Sequence, residues 1–356
     1  MSLLFRYIFQ RHARLLLLIM CLGLGLYLLT DIVERVDVFI DNDAGFDLVI
    51  KYFGCRIPGI VAQILPAVFL LATVVTLCLM GNSRELTALH AGGISFSRVA
   101  FTLVMCGMFW GCVQFACSQF IGVKADRYAS QIWVEQVRKR ELGQKTVHDI
   151  WFNEGGWIVS VDTLYQNGQG RGFTAYHVKP GHASDVDTII RAPRMEGSAE
   201  GWTALDAVVV KPETFEQETL KRVEVPVHQD PKLFFTTSSV NLQQLPIWQL
   251  GEAIDQLGSA GSNVEGLRTV WHGKIAYAAS LMVMALLGAA IVSWNSNIYI
   301  AVAISMGGTF LLYALTMFGE SLGMMGSLPP MVAAWGPDSL LLAVALMRLY
   351  FVSVRR

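Results

Sequence analysis

Charged side chains are scarce in this sequence. They make up 15% of its residues, whereas a soluble domain usually carries about 25%. The scarcity is uneven, because 34 of the 55 charged residues lie within residues 123–268. This distribution excludes an ordinary cytosolic globule and indicates a membrane protein that is interrupted once by a water-soluble insert. The formal net charge of −1 provides no basic field that would attract nucleic acid.

The insert also lacks cysteine, which excludes a module held together by disulfides. All six cysteines precede the insert, and no two of them have CxxC spacing. We interpret them as small apolar residues of membrane helices. They are Cys21, Cys55, Cys78, Cys106, Cys112 and Cys117.

Sequence motifs for catalysis or nucleotide binding are missing as well. Gly273-Lys274 lacks the upstream glycine of a P-loop and is followed by Ile275, and neither HExxH nor GxSxG occurs. The seven histidines are scattered. We therefore predict that the chain is not an enzyme, that it holds neither a metal nor another cofactor, and that any ATP-derived energy must come from a partner.

Long apolar runs are what the sequence does contain. A spanning helix needs about 20 mainly apolar residues, because the hydrocarbon core of a bilayer is about 30 Å thick. Six stretches qualify, and we interpret the first as a retained signal anchor rather than a cleaved signal. The predicted spans are about 15–33, 57–80, 99–123, 270–294, 298–318 and 335–354.

Arginine placement predicts the orientation of these spans. Six spans place Arg6, Arg11 and Arg14, the loop with Arg84 and Arg98, and the C-terminal Arg355 and Arg356 on one side of the membrane. By the positive-inside rule that side is cytoplasmic. Both termini are then cytoplasmic, and the insert lies outside the cytoplasm.

The insert has the pattern of a β domain. A helix is predicted over 124–142, followed by short alternating runs separated by Gly, Asn, Asp or Pro, which is typical of an all-β sandwich or roll. The alternation places one set of apolar residues inward, where they either line a lipid conduit or form a closed core. This set includes Trp157, Val159, Phe173, Ala175 and Leu205, followed by Ala207 and Val209.

The loop between spans two and three is the most informative segment. Ser83 is predicted to N-cap a short helix, with Glu85 in its first turn. Leu86, Leu89 and His90 then fall on one face, and Gly92-Gly93 ends the helix. Such a helix either docks into a groove on a partner or merely rests its leucines on the bilayer.

The sequence Ser83-Arg84-Glu85-Leu86…His90-Ala91-Gly92-Gly93 resembles the loop of the LptF/LptG permeases, the membrane subunits of the lipopolysaccharide-export ABC transporter. The resemblance covers nearly the whole chain. Pro329-Pro330 before span six and Trp271…Lys274 at span four favour the LptG type. Further matching segments are Arg6-Tyr7-Ile8, Trp151-Phe152…Trp157-Ile158, Ala192…Gly201-Trp202 and Phe318-Gly319.

The resemblance implies an α-helical polytopic fold of six transmembrane helices, with a periplasmic all-β, jellyroll-like domain between helices three and four. The domains are then 1–123, with a cytoplasmic coupling helix at about 83–92, the insert 124–268 with flanking helices, and 269–356. The location is the inner membrane of a Gram-negative bacterium. The implied partners are a dimeric cytoplasmic ATPase, an LptF-type second permease, a periplasmic jellyroll bridge protein and lipopolysaccharide.

The resemblance also implies site residues. Glu85 meets the ATPase, and the predicted coupling residues are Arg84, Glu85, Leu86, Leu89 and His90. Spans one and five line the lipid path through Tyr27, Asp31, Glu34 and Arg35, and through the stripe Phe310, Tyr313, Ala314 and Met317. LptG-type proteins tend to carry lysines near the outer end of span one. Here Arg35 is the cation of that region, which leaves three explanations open. The role of contacting lipid phosphates is shared by Arg35, Lys51 and Arg56, or the partner permease supplies the cations, or the lipid's phosphates differ.

The predicted function is therefore a permease subunit that extracts lipopolysaccharide from the inner membrane and passes it to a periplasmic bridge. The alternative is a mechanotransmitting or regulatory membrane subunit that moves no substrate. Proteins of that second class typically have four spans and no cavity that would fit a lipid, so span number and bound lipid distinguish the two.

Overall fold

A computed structural model describes residues 3–42, 44–137, 146–165, 167–178, 186–198, 201–212, 216–231, 242–259 and 263–354. The chain forms two compact units. The membrane unit combines Met1–Lys139 with Arg268–Arg356, and the inserted unit is Arg140–Leu267.

Six helices of the structure are long and apolar enough to cross a membrane, which confirms the predicted spans and lengthens most of them. They are span 1 (Leu3–Asp41), span 2 (Phe46–Asn82), span 3 (Phe96–Val137), span 4 (Glu265–Trp294), span 5 (Ile298–Met324) and span 6 (Pro330–Val354). A short loop helix, Glu85–Ala91, joins spans 2 and 3. Span 3 includes π-helical turns at Cys117–Gly122 and Ile132–Val137. The last residues of the predicted helix 124–142 lie outside the described residues.

The core of the membrane unit is built on spans 2 and 4. In both, 67% of the most apolar stretch is buried, against 17% in spans 1 and 5. Phe69 and Leu77 of span 2 and Met284 of span 4 are fully enclosed in one apolar cluster. Spans 1 and 5 therefore leave most of their apolar surface facing outward.

Span 2 contains two prolines, Pro58 and Pro66. Side chains of other spans donate hydrogen bonds to backbone carbonyls near Pro66. Pro66 has no N–H group to donate to the carbonyl of Ala62, and the Gln114 side chain of span 3 donates to that oxygen instead at 3.5 Å. The next carbonyl, that of Gln63, accepts hydrogen bonds from the hydroxyls of Tyr277 and Tyr313. Spans 3, 4 and 5 are thus tied to one short stretch of span 2.

Spans 3 and 4 pack closely through glycine. A Cβ atom at Gly107 would lie 2.7 Å from the Leu281 carbonyl oxygen, and one at Gly111 would lie 2.6 Å from that of Ala278. Small residues four apart allow two helix backbones to approach in this way. All six cysteines have free thiols, and Cys78 and Cys106 are buried inside the bundle.

The inserted unit contains a six-stranded antiparallel sheet in which each strand pairs with its neighbour in the chain. The first two strands are connected at Gly155-Gly156, where both glycines have positive φ (58° and 86°). The described order is therefore a meander, and a jellyroll topology stays a prediction. The strands are β1 (Thr146–Glu154), β2 (Trp157–Tyr165), β3 (Gln169–Val178), β4 (Val186–Ser198), β5 (Gly201–Lys211) and β6 (Glu216–Val225).

A crease, defined here by Asp162, Gly172, Pro193 and Asp206, crosses this sheet. The ladder pairing is interrupted at these four residues on neighbouring strands. Gly172 and Asp206 have positive φ angles of 67° and 55°. At the crease the alternation of buried and exposed residues shifts by one, so that Ala204 and Ala207 are both buried although they are three residues apart.

The sheet curls strongly around its core. Strands β1 and β5 are four strand spacings apart, about 19 Å in a flat sheet. The rings of Phe152 on β1 and Trp202 on β5 nevertheless lie 5.1 Å apart. The indole nitrogen of Trp202 donates to the Gln229 carbonyl at 2.7 Å, and the backbone N–H of His228 donates to the Glu154 carboxylate. The segment after β6 therefore closes over the concave side.

A further helix, Ile247–Ser259, precedes span 4 and buries Leu250, Ala253 and Leu257 along one side. A short 3₁₀ turn at Leu242–Gln244 comes before this helix.

Candidate functional site

The loop helix begins at an unusual residue. Arg84, not Ser83 as predicted, occupies the N-cap position, and its φ of 58° lies in the left-handed region. Ser83 instead follows the last residue of span 2, with its hydroxyl oxygen 2.9 Å from the Leu79 carbonyl oxygen. The chain turns at Ser83 and again at Arg84. The helix therefore begins without a side-chain cap from Ser83.

The Glu85 cluster consists of Tyr7, Arg11, Ser83 and Glu85. One guanidinium nitrogen of Arg11 lies 2.7 and 2.6 Å from the two carboxylate oxygens of Glu85. The hydroxyls of Tyr7 and Ser83 donate to the same carboxylate, each at 2.7 Å. Arg11 also donates to the Tyr7 hydroxyl at 2.8 Å. The loop helix is thus attached to the N-terminal part of span 1.

The electrostatics of this cluster favour an ionised Glu85. Partial burial disfavours its charge, but hydrogen bonds from Arg11, Ser83 and Tyr7 outweigh that effect and lower the pKa of the carboxyl to about 2. Glu85 therefore keeps its negative charge at every physiological pH.

The other predicted coupling residues divide into two groups. Leu86 and Leu89 are half-buried and pack against the protein's own apolar cluster. Arg84 and His90 are exposed. Beside the Glu85 cluster lies an open cavity of about 330 Å³, lined by Tyr7, Glu85, Ala88, Leu89, Gly92 and Ile94.

Sequence reasoning missed Tyr7 and Arg11 as parts of this site. From the sequence, Tyr7 is identified only as part of the matching segment Arg6-Tyr7-Ile8, and Arg11 only as a charge that sets the orientation of the spans. Both lie on one face of span 1, four residues apart, and that spacing of a hydroxyl and a cation is a signal that could have identified them.

A second cluster lies at the opposite end of span 1. Asp31 is almost fully buried and receives Arg35 at 2.7 Å and Arg56 of span 2 at 3.3 Å. The Arg35 guanidinium also lies 4.9 Å from the Trp133 ring centre. Glu34 is exposed on another side of the helix. Two arginines therefore share the Asp31 carboxylate, and Glu34 and Asp126 are further carboxylates that interact with Arg35 and Arg56, respectively.

The predicted lipid-path residues of spans 1 and 5 meet at span 2. Tyr27 donates to the side chain of Gln63 at 3.5 Å, and Tyr313 donates to its backbone carbonyl at 3.0 Å. Ala314 is half-buried. Phe310 and Met317, in contrast, are 76% and 73% exposed. The predicted stripe on span 5 therefore divides into an inner pair that faces the bundle and an outer pair that faces away.

The predicted conduit residues of the insert lie mostly in its core. Val159, Phe173 and Ala175 are fully buried in one cluster, and Trp157 packs on its edge. Leu205 corrects the prediction: it is only half-buried, and its cross-strand neighbours are Arg194 and Arg222. The positive φ of Asp206 shifts the alternation, so Leu205 does not face inward with Ala207.

Among the described residues, no group of three or more His, Cys, Asp or Glu side chains could hold a metal ion.

In a comparison with protein-family models, residues 6–350 match "Lipopolysaccharide export system permease LptF/LptG". The chain belongs to the LptF/LptG family. The match spans both the membrane unit and the inserted unit. It confirms the resemblance to the LptF/LptG family that is based on the loop between spans 2 and 3 and on the other matching segments. Among curated proteins, none matches the chain significantly.

As an LptF/LptG protein, the chain is a permease subunit of the lipopolysaccharide-export system and an integral protein of the inner membrane. That system is of the ABC type, which implies ATPase and permease partners in general. The family description covers LptF and LptG together.

Proposed function

We propose that the chain is the LptG-type permease subunit that extracts lipopolysaccharide from the inner membrane and passes it to a periplasmic bridge. The observation that carries this proposal is the outward exposure of spans 1 and 5 in a family of lipopolysaccharide permeases. Both spans pack on span 2 near Gln63 and leave their apolar faces free to contact acyl chains.

The outer ends of spans 1 and 2 support recognition of an anionic head group. Arg35 and Arg56 converge on the single carboxylate of Asp31, and their guanidinium groups can attract a phosphate. Lys51 pairs one-to-one with Asp47 at 3.3 Å on an exposed surface, whereas Arg35 and Arg56 share the one carboxylate of Asp31. We therefore assign the phosphate contact to Arg35 and Arg56 rather than to Lys51.

The energy source in this proposal is a dimeric cytoplasmic ATPase that binds the exposed side of the loop helix. Arg84 and His90 are both exposed, and the cavity beside Leu89 is open to a partner side chain. Pro329-Pro330 and Trp271…Lys274 support the LptG type, with an LptF-type permease as the second subunit.

The curled sheet is proposed to lie in the periplasm and to hand the lipid to a jellyroll bridge protein. Its core residues Val159, Phe173 and Ala175 are completely enclosed. A lipid would therefore pass through the sheet only if the segment containing Val227 and Gln229 moved away from the concave side.

Photo-crosslinking in a reconstituted complex tests this function. The complex is placed in proteoliposomes with lipopolysaccharide, and a photo-reactive amino acid replaces Phe310 or Met317. Both positions should capture lipopolysaccharide, and ATP should change the yield, because the lipid moves along this face. Val344 and Met347 are matched exposed controls on span 6 and should capture much less.

The regulatory alternative gives a different result in the same experiment. A subunit that moves no substrate would capture lipid equally on spans 5 and 6 and without dependence on ATP. The six spans already favour the permease over the regulatory class, for which four are typical.

A further inference from the structure

Asp31 and the two arginines that it contacts form a site at the outer end of spans 1 and 2. We propose that Asp31 is a positioning residue for the anionic head group of the lipid. It holds Arg35 and Arg56 together for a phosphate, and its own negative charge limits the affinity so that the phosphate can leave again. The inference rests on the proposed function, which assigns the phosphate contact to the same two arginines.

The first argument is the accessibility of the three side chains. The Asp31 side chain is 6% exposed, whereas those of Arg35 and Arg56 are each 27% exposed. An anion that approaches from outside the bundle therefore reaches the guanidinium groups, while the carboxylate stays nearly inaccessible to it. In this arrangement Asp31 can orient the two cations without covering them.

The second argument is the way in which the two arginines share the carboxylate. The Nε atom of Arg35 donates to one oxygen of Asp31 at 2.7 Å, and the Nε atom of Arg56 donates to the other at 3.3 Å. Since both contacts are made through Nε, the terminal nitrogens of the guanidinium groups can donate to a phosphate. Arginine binds phosphate well in this way, because its planar fork of N–H groups matches the phosphate oxygens.

The third argument is the support of Arg35 by aromatic rings. Its guanidinium carbon lies 4.9 Å from the centre of the Trp133 ring and 5.8 Å from that of the Tyr52 ring. Such cation–π contacts are attractive, and they add to the ion pair with Asp31. Arg35 is thus held by side chains of spans 1, 2 and 3, which reduces the conformational entropy that it loses when an anion binds.

The fourth argument is the balance of charge at the site. Glu34 interacts electrostatically with Arg35, and Asp126 interacts with Arg56. A phosphate is therefore attracted by the guanidinium groups and repelled by the carboxylates around them. Because Asp31 contacts both arginines, removal of its charge should raise the affinity for phosphate most directly. A permease has to release its lipid, and a moderated affinity serves that step.

Lipid binding to the reconstituted complex tests the inference. The variants are Asp31→Asn, which removes the charge, and Asp31→Glu, which keeps it. The matched control is Asp47→Asn, because Asp47 also pairs with a cation four residues away, Lys51, but on an exposed surface. For each protein, the Kd is measured for phosphorylated lipid A, for the same lipid without phosphates, and for inorganic phosphate. Melting temperature and lipopolysaccharide released per ATP are measured as well.

The expected result is tighter binding with poorer release. Asp31→Asn should bind phosphorylated lipid A about tenfold more tightly and release about tenfold less lipopolysaccharide per ATP. Its affinity for the dephosphorylated lipid should not change. Without lipid its melting temperature should fall, because the two arginines lose their shared counter-ion, and phosphorylated lipid should restore it. Asp31→Glu and Asp47→Asn should stay within about threefold of the wild type.

Three outcomes overturn the inference and leave the proposed function intact. One is weaker binding of phosphorylated lipid by Asp31→Asn, which would give Asp31 a purely structural role, and another is an equal gain with the dephosphorylated lipid. The third is displacement of the lipid by inorganic phosphate, which would assign the site to a free ion. If Asp31→Asn does not fold without lipid, its recovery by phosphorylated but not by dephosphorylated lipid supports the inference, and equal recovery by both contradicts it. Failure of the wild-type complex to release lipopolysaccharide with ATP would instead refute the proposed function.

Discussion

Glu85 carries a charge that is held by contacts within the chain. An acid in the first turn of an exposed loop helix is well placed to meet a partner, and its interaction with the helix dipole is favourable. In the structure its carboxylate faces span 1 and is held by Arg11 and Tyr7. At the scale of the residue, the consequence is a charge that is fixed within the chain.

The lowered pKa of Glu85 gives a pH prediction. Because its pKa falls from an ordinary value near 4.5 to about 2, the ionised group stabilises the folded protein fully above about pH 4.5, and that contribution is lost as the pH falls toward 2. The difference in melting temperature between wild type and Glu85→Gln should be constant from about pH 6 to pH 8 and should shrink below about pH 4.5. Scanning fluorimetry of the detergent-solubilised protein measures it. A difference that already changes between pH 6 and 8 would contradict the ionised state.

The long-range partners of Glu85 could not be predicted from spacing. The helix, its acid and its glycine stop follow from local rules that act over three or four residues. Arg11 lies 74 residues away in the chain, and no periodicity relates the two positions. The N-cap was wrong for a local reason, since Arg84 adopts a left-handed conformation that its residue type does not signal.

At the scale of the elements, the six spans follow directly from the sequence, because bilayer thickness imposes a length and a polarity that few other structures satisfy. The strands also follow, since period-two alternation and the Gly155-Gly156 turn are strong signals. The alternation fails at the crease. Leu205 was placed on the wrong face because Asp206 adopts a positive φ, which single-residue propensities do not predict.

The crease gives a prediction about glycine. Gly155 and Gly172 both have positive φ, but a Cβ atom at Gly172 would overlap the Asp162 side chain, whereas nothing lies within 4 Å of one at Gly155. Asparagine tolerates the left-handed conformation, so Gly155→Asn should change the free energy of unfolding by less than about 0.5 kcal/mol. Gly172→Asn should cost about 1–3 kcal/mol because of the added overlap. Thermal unfolding compares the pair, and equal effects would argue against a crowded crease.

At the scale of the whole molecule, the orientation of the two units across the membrane is the property to test. The arginines at positions 6, 11, 14, 84 and 98 predict a cytoplasmic loop helix and an external insert. Gln169 and His90 are both exposed and lie in the insert and the loop helix, respectively.

Cysteine labelling in cells checks this orientation. In a variant without the six native cysteines, Gln169→Cys should react with a membrane-impermeant maleimide added from outside, and His90→Cys should react only after lysis. The reverse pattern would place the insert in the cytoplasm and invalidate the proposed route of the lipid.

The order of the strands has a consequence for how the insert acquires its structure. Neighbours in the sheet are neighbours in the chain, so hairpins can form one after another as the polypeptide emerges, with little loss of entropy in each closure. The contacts between Trp202 and Phe152 and between His228 and Glu154 join distant parts of the chain. Such contacts form late, since they require both ends of the meander. Folding of this unit should therefore finish only after residues 226–231 have been synthesised, and the curled sheet would remain open until then.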